Sequence, residues 1–417
     1  MAIHDDIPPP YNFVGTHGVF PKASHDERAR FNFLANLNKH VAGTLGPGNK
    51  LAWERRALPK FVAEQGREPS DRFEVRRAMN GDPYHRFWSA LKRNNMEMRQ
   101  QNGRSIVLRQ LDELDERARI ASGNGEGLEL DPAITIPRYQ RAVDTHCMPG
   151  SYFGEERAGD VSAGANYDCG IFVTTGGGMG ALSDGGGQAL AKWAKEARPG
   201  WAPKRILDIG VTVGHSALPL AQAFPDCEVI AIDTAAPVLR YGHARARSLG
   251  VENIRFVQAN AEDLSRWPDG YFDWVQTTMF LHETSGTALP RIINEGARVL
   301  ADGGLMLHLE QPQYTPEMPL FEQFMRDWDA FNNNEPFWSA MHAFDMHAVL
   351  ADAGFAPADQ FEAKVRAVVD ETIFPPSVEG EAEDFGRAAV WHAYGAWKSA
   401  ASAAGKTAAS AAGKAAA

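Results

Sequence analysis

The chain has 417 residues, 44% hydrophobic and 23% charged, with a net charge of −11. Such a length exceeds one compact domain and predicts two to three, at roughly 150 residues each. The acidic balance argues against general nucleic-acid binding, which needs a basic face to release counterions from phosphates. Three cysteines (Cys147, Cys169, Cys227) form no CxxC pair, so neither a disulfide framework nor a thiolate metal site is indicated. Met1 to Pro10 lacks the apolar core of a signal peptide. No uncharged apolar run approaches the ~20 residues that cross a bilayer. A cytoplasmic location is the expectation.

The first third reads as helical. Lys22 to Ala42 carries Phe31, Leu34, Leu37 and Val41 at helical spacing. Asp82-Pro83 has the pattern of an N-cap followed by proline at the first helical position. It opens a long stretch through Phe87, Trp88, Leu91, Ile106, Leu108 and Leu111 to about Ala121, with a candidate interruption at Asn102-Gly103. The run Ser122-Gly-Asn-Gly-Glu-Gly127 then breaks it. Arginine and acidic residues interleave through 54–119, as on solvated helix faces. Residues 1–150 are thus expected to form a mainly helical N-terminal domain without a chemical motif. Residues 151–202 are expected to be a glycine-rich connecting or lid segment and a leading helix. Its clusters, Gly176-Gly-Gly178 and Gly185-Gly-Gly187, lack phosphate-loop spacing, which points to a flexible loop.

From about Pro203, short β-branched runs alternate with helices, the pattern of a parallel, doubly wound sheet. Strands are predicted at 205–209, 228–233, 254–258, 272–276 and 304–309. Helices are predicted at 215–224, 237–249, 288–300 and 345–353, and two further strands at 361–369 and 388–398 around a long acidic loop. The final stretch, 399–417, repeats Ser-Ala-Ala-Gly-Lys in near-pure alanine and is expected to be disordered.

The strongest chemical signal is Ile206-Leu-Asp-Ile-Gly-Val-Thr-Val-Gly214, between the first strand and its helix. A glycine turn there lets backbone approach a ligand and aims a helix N-terminus at it. Asp233 ends the second strand about 20 residues on, the usual offset for an acid that accepts from ribose hydroxyls. Taken alone, Asp233 fits a solvated strand-end carboxylate equally well. A nicotinamide dehydrogenase would prefer Gly-x-Gly-x-x-Gly, which residues 210–215 do not supply.

With these segments in order, residues 203–398 resemble the class I S-adenosylmethionine-dependent methyltransferases. The family's Asp-x-Gly-x-Gly-x-Gly matches at Asp208, Gly210 and Gly214, with Thr212 in place of the middle glycine. Gln258-Ala-Asn-Ala-Glu-Asp-Leu264 resembles the segment beside the adenine, with Asn260 where aspartate is common. Pro268-Asp-Gly-Tyr-Phe-Asp273 and Arg298-Val-Leu-Ala-Asp-Gly-Gly304 resemble the approaches to strands four and five. The resemblance implies an α/β fold with a doubly wound, seven-stranded, mostly parallel sheet (Rossmann-like) beside the helical N-terminal domain. It implies S-adenosyl-L-methionine as cofactor, held by Asp208, Gly210, Thr212, Gly214, Asp233, Thr234, Asn260, Ala261 and Thr278.

Little further is needed for catalysis, since the sulfonium is already a strong methyl donor; a hydroxyl acceptor also asks for a proton acceptor. His282, after strand four, and Glu310, ending strand five, are the candidates, because open α/β sheets bind ligands at the carboxyl ends of strands. His282 has a structural alternative, as Leu-His-Glu is also a recurring helix start in the family. His308 alternates with Leu307 and Leu309 and is expected to pack in the sheet. Insertion 311–344 carries Tyr314, Phe321, Phe324, Trp328, Phe331, Phe337, Trp338 and Phe344, suiting an aromatic lid over an apolar acceptor. At least half of these rings are expected to be core, since Phe321, Phe324 and Trp328 have helical spacing. No metal site, nucleic acid or membrane is expected; a homodimer is allowed. The expected activity is methylation of a small aromatic or apolar molecule, on oxygen before carbon or nitrogen. The alternatives are a peptide or protein methyltransferase using the N-terminal domain for recognition, and a non-catalytic cofactor-binding interaction protein.

Overall fold

Period-2 runs of Ile, Val and Leu from Arg205 onward become strands with both faces buried. A computed structural model describes residues 8–373 and 390–399. Its strands are β1 (Leu128–Glu129), β2 (Arg205–Ile209), β3 (Glu228–Asp233), β4 (Ile254–Gln258), β5 (Phe272–Thr278), β6 (Leu300–Glu310), β7 (Gln360–Arg366) and β8 (Val390–Trp397). They form one sheet in the order β1-β4-β3-β2-β5-β6-β8-β7. Among the described residues only the β6–β8 and β8–β7 pairs are antiparallel. Along β2 and β3, Leu207, Ile209, Ile230 and Ile232 enter one hydrophobic cluster, and Ile206, Val229 and Ala231 the other. This alternation puts core on both faces, as parallel sheets require. Each of the Leu, Ile and Val side chains contributes about 1.5–3 kcal/mol through burial.

The doubly wound fold holds, with one strand more than the seven expected. The extra strand is β1, two residues from the N-terminal region that extend the sheet beside β4. Sequence patterning could not find it, because two residues carry no period. The predicted helices appear as Ala217–Ala223, Ala236–Ser248, Ala288–Val299 and Met346–Asp352. The tail from 400 and most of the acidic loop, 374–389, lie outside the described residues.

In the N-terminal region, Ser24 and Glu27 form a capping box for the helix His25–Lys39. Asp82 caps Pro83–Arg109 by accepting from the amides of Tyr84 and His85. This helix runs unbroken through Asn102-Gly103, where a break was a candidate. Gly103 serves a close crossing instead: a Cβ there would lie 2.2 Å from Asn166 Oδ1. Asn166 belongs to the helix Ser162–Thr175, which is buried on almost every face.

Gly185-Gly-Gly187 is not the flexible loop its composition suggests. It begins the helix Gly185–Ala197, and a Cβ on Gly187 would stand 2.5 Å from the Ser216 carbonyl oxygen. The aromatic insertion mostly packs on the N-terminal helices. Phe321 stacks on Trp53 at 6.0 Å, Trp328 Nε1 donates to Ser89 Oγ at 2.8 Å, and Arg72 meets Asp327 at 2.6 Å.

Candidate active site

At the carboxyl end of β2 the backbone turns through Gly210 (φ +75°), Thr212 (φ +48°) and Gly214 (φ +84°). Glycine is needed at 210, where a Cβ would come within 2.2 Å of the Phe280 ring. Thr212 takes a left-handed conformation that costs an L residue roughly 1–2 kcal/mol. Asp233 anchors this loop: its Oδ2 accepts from the Thr212 amide at 3.1 Å and its Oδ1 from the Ala235 amide at 2.9 Å. Each oxygen keeps a lone pair for a further donor. Burial pushes Asp233 up to about 6, against the pull of these amides. Asp208 is buried with Oδ2 unpartnered; burial lifts it to about 7, opposed by the Gln276 side chain and helped by the charge of Asp233.

Asp208, Gly210, Thr212, Asp233, Thr234 and Thr278 line one cavity. Asn260 and Ala261 line an adjoining one, with Ile209, Ile232, Tyr139 and Gln140; Phe280 stands between the two. Thr234 Oγ1 donates to Gln140 Oε1 at 2.7 Å, so the 138–141 segment closes over this side. Gly214 reaches neither cavity: it packs against Leu218 and Phe256, where the following helix begins. His308 lies within the sheet as expected, bonded to Thr277 Oγ1 at 2.9 Å.

His282 lies in the wall of the first cavity, whereas Glu310 is set behind it. Glu310 accepts from His282 Nδ1 at 2.7 Å, from the His282 amide at 3.2 Å and from the Gln311 amide at 2.8 Å. The expected direct contact of Glu310 with an acceptor is therefore corrected: its oxygens are turned to His282 and the backbone. The other nitrogen, His282 Nε2, lies 3.6 Å from Glu335 Oε2. Burial pushes the imidazole down, but Glu310, then Glu335 and Glu283, outweigh it and hold His282 at about 9.

A second histidine completes the cluster. His146 meets Glu335 at 3.0 Å and Glu283 at 3.1 Å, and Tyr152 donates to the same Glu283 oxygen at 2.9 Å. Burial opposes its charge, yet Glu335 and Glu283 raise it to about 10. Its segment is strained: His146, Cys147 and Ser151 all have φ near +55°. Among the described residues no group of three or more His, Cys, Asp or Glu could hold a metal ion.

Facing the strand ends is the helix Ser162–Thr175. Tyr167, Ile171, Thr174 and Thr175 share one face by their spacing and line the cavity. Behind them Asp168 accepts from Tyr241 at 2.8 Å and pairs with His215 at 2.8 Å and His17 at 2.9 Å. Because His215 follows the glycine turn, this hub fixes the helix to the cofactor loop. Arg99, His146, Tyr152, Tyr167 and Glu335 were invisible to motif reading. They come from three separated stretches of sequence, around 99, 146–167 and 335, and none stands in a recognisable motif.

This geometry defines a class: a largely parallel-sheet protein with a glycine turn and two buried carboxylates at the ends of β2 and β3, opening on one cavity. A family profile described as "Methyltransferase domain" matches residues 206–304. Demethylmenaquinone methyltransferase of Thermus thermophilus is 39% identical over 111 residues, covering 27% of this chain and 49% of that one. Uncharacterized methyltransferase YcgJ of Bacillus subtilis is 34% identical over 124 residues, 30% of this chain and 46% of that one. Ubiquinone/menaquinone biosynthesis C-methyltransferase UbiE of Rhizobium meliloti is 30% identical over 181 residues, 38% of this chain and 67% of that one. The chain spans about half the length of the first two of these. It belongs to the class I S-adenosylmethionine-dependent methyltransferases.

S-adenosylmethionine is the family's cofactor, and the residues present fit it. The unpartnered Asp208 oxygen, the remaining lone pairs of Asp233 and the side-chain-free approach at Gly210 suit a ribose and its sulfonium arm. Asn260 and Ala261 stand in the adjoining cavity, where an adenine would lie.

Proposed function

We propose that the chain methylates a hydroxyl of a small aromatic or apolar molecule. The observation that carries this is one continuous wall, from Asp208 and Asp233 to His282, completed by Tyr152, Phe153, Tyr167, Ile171 and Trp338. Apolar and aromatic walls with a few convergent polar groups suit a small acceptor. S-adenosylmethionine, when bound, supplies the electrophilic methyl. Glu310 holds the His282 ring through Nδ1, leaving Nε2 as the atom that takes the acceptor's proton. Because Glu310 and Glu335 hold His282 protonated above the usual imidazole range, its neutral form, and with it turnover, rises toward alkaline pH.

A second reading is methylation at a ring carbon of a hydroquinone. It is favoured by the relatives named for demethylmenaquinone and for ubiquinone/menaquinone biosynthesis. The same proton removal would raise electron density on that ring. Labelled S-adenosylmethionine offered with phenols, catechols and hydroquinones tests both readings, with the methyl position read by NMR. An O-methyl product supports the first and a C-methyl product the second. Label found only in macromolecules from a cell extract overturns both in favour of a peptide or protein acceptor.

A further inference from the structure

The methyl-transfer chemistry leaves one group of the chamber without a role. Arg99 is 2% exposed and stands in the cavity wall. Its Nη1 donates to Thr174 Oγ1 at 2.7 Å, and its buried Nε has no partner. Among the described residues no carboxylate forms an ion pair with it, and the groups nearest its charge include Tyr167, Tyr152, Cys169 and Cys147. Other arginines near it in sequence differ: Arg93 pairs with Glu97 and Arg104 with Glu156, each at 2.6 Å.

A guanidinium stays charged when buried, and a buried charge without a counter-ion is costly unless a ligand provides one. Space has been kept for it, since a Cβ on Gly170 would press within 3.2 Å of Arg99 Nε. Among the described residues lining the cavity there is no lysine and no second arginine. One fixed, planar charge matches a singly charged carboxylate better than a doubly charged phosphate. Two of its neighbours, Tyr152 and Cys147, belong to the His146 segment, on the acceptor side of the chamber.

We infer that Arg99 anchors a carboxylate of the acceptor, which makes the substrate class an aromatic or apolar hydroxy acid. This rests on the small-molecule reading above. The probes are hydroxyphenylacetic and hydroxycinnamic acids, each paired with its methyl ester, with labelled S-adenosylmethionine as donor. Wild-type protein turns over the acids in preference to the esters by about 100-fold in kcat/KM. Arg99→Met brings that ratio near one, and Arg99→Lys falls between. Affinity for S-adenosylmethionine, measured by calorimetry, changes by no more than about two-fold in either variant, which also shows that each is folded.

Equal use of acids and esters by wild type overturns the inference, as does a preference that survives in Arg99→Met. Loss of S-adenosylmethionine binding in a variant that retains the wild-type circular dichroism also overturns it, because Arg99 would then hold the cofactor's own carboxylate. Calorimetry of the acids on protein loaded with S-adenosylhomocysteine separates the two proposals. Acids that bind through Arg99 without being methylated leave the anchor standing and remove the hydroxyl-methylation reading. Acids that neither bind nor react remove the anchor.

Discussion

On the strand side of the chamber, Asp208, Gly210, Thr212 and Asp233 come from a single β-turn-α-β unit and meet through backbone amides. On the facing side, Arg99, His146, Tyr152 and Tyr167 come from separate elements, held by side-chain contacts between segments distant in sequence. The first wall carries the family's motif, whose parts recur with fixed spacing. On the reading proposed above, the second meets the acceptor. Its parts are placed by packing, with no local rule to advertise them.

Substitutions can sharpen or break this contrast. The largest expected effect is at the junction of the walls: His282→Gln should lower kcat by about 10²- to 10⁴-fold while leaving S-adenosylmethionine affinity intact. A smaller loss would deny His282 the proton-accepting role. Asp168→Asn should cost roughly 3–5 kcal/mol of stability in denaturant unfolding, because it strips the hub from His17, His215 and Tyr241. A near-neutral result would mean that the two walls are not tied together there. Asp233→Ala should weaken S-adenosylmethionine binding by about 1.5–3 kcal/mol in calorimetry. An unchanged affinity would refute the ribose assignment.

The pH dependence has a definite sign. His282 is raised from 6.5 to about 9, so its pairing with Glu310 stabilises fully below pH 6.5 and is lost as pH rises toward 9. Turnover should climb over the same window while unfolding becomes easier, a divergence readable from parallel activity and melting profiles. Parallel falls in both would contradict the neutral imidazole as the working form. The smallest effect is at Thr212→Gly. Relief of a left-handed threonine worth about 1–2 kcal/mol is partly cancelled by glycine's roughly 0.5–1 kcal/mol of chain entropy. Melting temperature should rise slightly; a fall would show that the threonine side chain supports the loop.

What could be read from the residues follows the same division. The positions of the strands, the glycine turn and Asp233 at the end of β3 were legible because period-2 patterning and motif spacing are local properties. Glu310 was found, but with the wrong partner: only the fold shows that its oxygens face His282 rather than the chamber. Gly185–Gly187 misled because glycine-rich composition signals mobility, while here it permits a helix to lie against Ser216 and Trp391. The aromatic insertion was partly understood. Phe324 and Trp328 are core and Phe321 packs half-buried against Phe324, in keeping with their spacing, and Trp338 reaches the chamber. Glu335, which no motif singles out, faces both histidines.

The helix Ser162–Thr175 has a consequence for how the molecule comes apart. With nearly all its faces covered, by the N-terminal helices on one side and by Tyr241 and its helix on another, it has no surface on which to survive alone. Separating the N-terminal helices from the sheet would expose Cys169, Phe172 and Val173 together with the charge of Asp168. Heating should therefore show one cooperative transition, with no stage at which a bare cofactor-binding half persists. Evolutionary exchange of the acceptor wall would then proceed by substitution within it, since a swap of the whole segment would take the stability of the sheet with it.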